Sequence, residues 1–179
     1  MAYYVRKIAR AKWNLKIIGS ENVIQNYRAD AIANDMRTTN DTLSFWRTDS
    51  LEPEDVNPII VINSLLGDSI TKIDLLCIPE EMISEFDLEQ VDGNTILYSF
   101  KDRHYNVVEL TVKKLEEFAS DIVLTLLSMA EKHPEYIKRI TVKEQLSLID
   151  SYISSGSLVY EDLKEHQKKD LDKFRKNKR

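Results

Sequence analysis

The sequence predicts a single α+β domain, a small and mostly antiparallel sheet packed with helices and followed by a C-terminal third that is all helical. Three observations carry that expectation. At 179 residues the chain is long enough to bury one core without disulfide or metal staples. Only four Gly and four Pro leave little room for irregular loops. Short runs rich in β-branched and aromatic residues lie before Thr111, and helical periodicity dominates after it.

Residues 3–9 alternate loosely around Tyr3, Tyr4 and Val5 and read as a first strand. Ser20 is suited to cap a helix reaching about Met36, with Val23, Tyr27 and Ala31 on one face and Ile24 and Ile32 beside them. Residues 37–41 are turn chemistry, and 42–47 read as a second strand. Residues 55–66 pull both ways. The run Ile59-Ile60-Val61-Ile62 suits a strand, whereas Pro58 near the start and Gly67 at the end suit a helix, which is preferred. Residues 70–78 form a strand that Pro79 ends. Residues 80–90 hold at most a short helix. Asp92-Gly93-Asn94 is a turn leading into a hairpin of 95–100 and 105–110 around a polar tip at 101–103.

Beyond it, Thr111 caps a long segment whose apolar residues wrap more than one face, as a buried central helix requires. His133-Pro134 breaks it. Thr141 and Glu144 spell a capping box, opening a helix with Leu146, Ile149 and Ile153 on one stripe. Ser155-Gly156 closes that helix. The last helix, 158–174, has only the thin seam Val159, Leu163, Leu171 and Phe174, too little for stability by itself. Residues 157–179 are therefore expected to project from a 1–156 core as a basic helix, ordered when docked on their own domain or on a second chain.

Several function classes lack their signatures. Cys77 is the one cysteine, so no intrachain disulfide forms, and its apolar neighbours predict a buried, inert thiol. His104, His133 and His166 are isolated, and neither a metal nor a cofactor is expected. The four glycines stand alone, without a phosphate loop or a nucleophile elbow. No stretch approaches the ~20 apolar residues of a membrane span. The basic N-terminal segment lacks the apolar run of a secretory signal, so a cytoplasmic protein without membrane association is expected.

Charge is the most unevenly distributed property. Residues 1–20 carry Arg6, Lys7, Arg10, Lys12 and Lys16 and no acid. Residues 48–100 carry twelve acids against one base, Lys72, and the tail turns basic again. Such a two-sided field governs encounter and partner choice. It points to a non-enzymatic interaction module, an accessory, adaptor or inhibitor subunit, with a protein partner or a second copy of itself. The candidate binding residues are Arg6, Lys7, Arg10 and Trp13 in the basic segment and Leu163, Leu171 and Phe174 on the terminal seam. Tyr3, Tyr4 and Trp13 interleaved with bases also resemble a stacking-plus-phosphate surface. With a net charge of −5, contact with nucleic acid is expected to be weak. The alternative is a small enzyme acting on nucleic acid. Its site would form where the 28–37 helix, with Arg28 and Asp35, meets the 101–109 hairpin, with His104, Tyr105 and Glu109. Geometry separates the two readings, because an enzyme needs polar side chains converging in a pocket.

Overall fold

The strand Ile73–Pro79 (β3) is buried at all seven positions, and a strand that is apolar on both faces must be covered on both. The computed structural model, which describes residues 1–13 and 29–178, shows how. Its other strands are β1 (Tyr3–Ile8), β2 (Leu43–Thr48), β4 (Leu88–Gln90), β5 (His104–Val107) and β6 (Ile137–Ile140). They form one sheet in the order β4-β5-β2-β1-β3-β6, and every neighbouring pair is antiparallel. Alternation along each strand sends side chains to two separate cores. Tyr4, Ile8, Phe45, Leu76 and Ile78 belong to one, and Val5, Trp46, Leu75 and Cys77 to the other.

The first core is closed by α1 (Ala29–Asp35), by the short α3 (Glu80–Ile83) and by a continuous helical segment made of α4 (Val112–Glu117), a π-wound turn (Phe118–Leu124) and α5 (Thr125–Met129). Thr111 caps it as the sequence predicts, its hydroxyl accepting from the Lys114 N–H at 3.2 Å. The wide turn lets Phe118, Ala119, Ile122, Val123 and Leu124 all be buried. The second core is closed by α2 (Pro53–Leu65), α6 (Val142–Ser154) and α7 (Glu165–Asn177). α2 takes the helical option for its Ile-rich run because sheet and α6 enclose it together. α6 starts on the Thr141–Glu144 capping box, and Gly156 follows it at φ +75°, the left-handed stop.

The α+β class stands, with corrections in detail. Residues 95–100 do not pair with 105–110. Tyr98–Arg103 forms a 3-10 turn, and β5 lies between β2 and β4, with Tyr105 opposite Phe45 and Val107 opposite Leu88. A ready-made edge on β2 outcompetes the local hairpin. The helical C-terminal region also contributes one short edge strand, β6. Of the helix expected from Ser20, the described part is α1; Ser20, Val23, Ile24, Tyr27 and Arg28 lie outside the described residues.

Nor does the terminal helix project. Leu163 and Leu171 are buried in the second core and Phe174 is half-buried. The thin apolar seam is supplemented by polar anchors. The buried Gln167 amide donates to the Leu65 carbonyl at 3.1 Å and to that of Gly67 at 2.7 Å, and Arg175 pairs with Asp150 at 2.8 Å.

Candidate anion-binding cleft

β1 and β2 pair at Tyr3↔Thr48, Tyr4↔Arg47 and Val5↔Trp46 and then part. Each continues on its far side, β1 against β3 as far as Ile8↔Asp74 and β2 against β5 as far as Leu43↔Val107. The sheet is therefore forked at its centre. A fork leaves inward carbonyls without ladder donors, and such groups need other partners. Arg6 supplies one: its Nη1 donates to the Ser44 carbonyl at 2.6 Å and its Nε to the Asp35 carbonyl at 2.8 Å. The guanidinium also lies 5.7 Å from the Phe45 ring centroid. Burial pulls Arg6 down to about 10, opposed by the negative Asp35, so the group is still charged at neutral pH.

Asp35 closes α1 onto the end of β1. Its Oδ2 accepts the Ala9 N–H at 2.8 Å and the Trp13 indole N–H at 2.7 Å, holding the 3-10 turn Arg10–Lys12 in place. The carboxylate is thus a clamp.

A cavity of about 770 Å³ opens at the fork. Among the described residues six bases line it (Arg6, Lys7, Arg10, Lys12, Lys72 and Arg139), together with the acids Asp35 and Asp74. Both acids are engaged, since Arg139 reaches Asp74 through Nε at 2.7 Å and Nη2 at 3.2 Å. Among the described residues Lys7, Arg10, Lys12 and Lys72 have no carboxylate partner. Burial holds the Lys7 ammonium below its ordinary value. A chain of net charge −5 so places a strongly positive cleft at the middle of its sheet.

His104 and Trp46 also line this space, their rings 4.8 Å apart and inclined at 61°. The Nδ1 of His104 is buried without a hydrogen-bond partner among the described residues. Burial, and then the positive charge of Arg6, hold the imidazole below its ordinary range. Gly93 is packed against the Trp46 ring and the His104 side chain: a Cβ there would stand 2.5 Å from the Trp46 ring and 2.8 Å from the His104 Cβ.

Of the residues singled out by sequence, the cleft brings together Arg6, Lys7, Arg10, Asp35 and His104. The others lie elsewhere. Tyr105 faces the first core, edge-on to Tyr4 at 5.5 Å and 83°. Glu109 is exposed on a backbone of φ +54°. Trp13 is buried and offers no face for stacking a base. Leu163 and Leu171 are spent in their own core. Arg28 lies outside the described residues. Sequence reasoning missed Lys12, Lys72 and Arg139. The available signal was Lys72, the lone base of residues 48–100, which the fold delivers to the cleft.

Among the described residues six acids of the 48–100 stretch are in ion pairs: Asp49 with Arg47 and Arg103, Glu80 with Arg47, Asp68 with Lys164, Asp74 with Arg139, Asp87 with Lys114 and Asp92 with Lys101. Cys77 is buried and its thiol is pushed up to about 12, away from nucleophilic or redox use at neutral pH. Among the described residues no helix is long and apolar enough to cross a membrane, and no group of three or more potential metal ligands occurs. No protein-family model matches the chain, and no curated protein or solved structure matches it either.

Proposed function

We propose that this chain is a non-enzymatic interaction protein, an accessory, adaptor or inhibitor subunit, whose working surface is the forked-sheet cleft and which takes an anionic group into it. One observation carries the reading: among the described residues six bases line the cavity against two acids, and both acids already have partners. Electrostatic complementarity of this kind sets partner choice and on-rate more than raw affinity. The test is affinity purification from the native cell, comparing the wild-type chain with Lys12→Glu/Lys72→Glu. A stoichiometric partner should be recovered with the wild type and lost with the variant; equal recovery with both would refute the reading.

A second reading, a small enzyme acting on nucleic acid, draws support from Asp35 and His104 lining the same cavity. It requires a turnover that disappears in His104→Ala while the fold persists. Incubation with labelled single- and double-stranded substrates decides it, and an uncut, unmodified substrate rules it out.

A further inference from the structure

We infer that the anionic group taken by the cleft is a phosphoryl group carried by a small organic ligand of nucleotide size. The inference rests on the reading of the cleft as the working surface and names its ligand class. Charge and geometry favour phosphate over carboxylate. Arg6 is held rigidly by Asp35 and Ser44 through Nε and Nη1, while its Nη2 has no partner among the described residues. A preorganised guanidinium edge of this kind suits the oxygens of a phosphate. Arg10, Lys12 and Lys72 add flexible cations from β1's trailing turn and from the segment before β3. A single carboxylate, with one charge and two oxygens, would leave most of these donors unused, whereas a phosphate brings up to two charges and three acceptor oxygens.

Size supports the organic part. About 770 Å³ exceeds what a bare phosphate fills and lies within the range of small-molecule and cofactor pockets. The half-buried His104 ring, edge-on to the Trp46 indole, gives that part an aromatic surface.

The experiment is titration calorimetry of the full chain with ATP, pyrophosphate and a polyglutamate peptide as probes. It is repeated on Arg10→Ala/Lys72→Ala, with circular dichroism to establish that the variant is folded. ATP should bind roughly tenfold more tightly than pyrophosphate, both should lose roughly tenfold or more in the variant, and the peptide should bind weakest. Pyrophosphate binding as tightly as ATP would show that the organic part makes no contact and overturn the inference. ATP binding that the variant leaves unchanged would place it elsewhere, with the same consequence. Binding of the peptide alone would overturn the phosphate inference and leave the anion-binding reading standing; binding of no probe, together with unaltered partner recovery by the charge-reversed variant, would remove both.

Discussion

Replacing Asp35 by Ala would strand two donors at once, the Ala9 N–H and the buried Trp13 indole N–H. Hydrogen bonds to a charged group contribute roughly 1.5–3 kcal/mol each, so the expected loss is about 3–6 kcal/mol in urea denaturation, with Asp35→Asn losing less. A wild-type midpoint for the Ala variant would show that the carboxylate does not clamp this corner. Gly93→Ala meets the Trp46 ring and the His104 Cβ and should cost about 1–3 kcal/mol by overpacking, read as a lower melting temperature. His104 makes a pH prediction. Its folded pKa lies below the ordinary value of 6.5, so below pH 6.5 the unfolded chain binds the extra proton first. Stability should therefore fall as pH drops from 6.5 towards the folded pKa, and His104→Phe should flatten that slope. At this scale the sequence was partly legible. Arg6, Lys7 and Arg10 stand out by charge, but the role of Asp35 depends on Ala9 and Trp13, 26 and 22 residues away in sequence, and Trp13 looks like a stacking residue until its burial is known.

At the scale of elements, α7 carries the sharpest prediction. Leu171 is fully buried and Gln167 satisfies two carbonyls at the end of α2, so the helix is structural. Leu171→Ala should cost about 2–5 kcal/mol, and removal of residues 158–179 should abolish the cooperative unfolding transition. A truncated chain with an intact transition would show that the second core closes without α7. Capped and strongly periodic elements were legible, because Thr111, Thr141 and Gly156 carry their own local instructions. β4 and β6 were not, since strands of three and four residues are defined by the edge they join. The expected hairpin failed for the same reason: residues 95–100 alternate acceptably, yet β2 offered β5 a better neighbour.

For the whole molecule, the cleft shows why charge statistics alone mislead. Residues 48–100 are acidic in sequence, but half of their twelve acids are in ion pairs, and the fold gathers bases separated by more than a hundred residues, from Arg6 to Arg139, around one cavity. Only the N-terminal part of that cluster is contiguous in sequence. A positive site this small can neutralise few backbone phosphates. Binding to single- or double-stranded nucleic acid should therefore be weak and lost at moderate salt, as read by fluorescence polarisation. Tight binding persisting above physiological salt would require a far larger basic surface than the cleft.

The strand order has a consequence for the way the molecule is made. β1 is translated first yet ends in the interior of the sheet, between β2 and β3. A nascent chain consequently carries Tyr4, Val5 and Ile8 without flanking partners until residues 43–48 and then 73–79 have left the ribosome. The rest of the covering layers come later still, with α4 to α7 all beyond residue 111. Such non-local pairing is slow and leaves apolar surface uncovered during synthesis. The growing polypeptide should stay protease-sensitive and dependent on holding chaperones until α7 emerges, then become resistant in a single step.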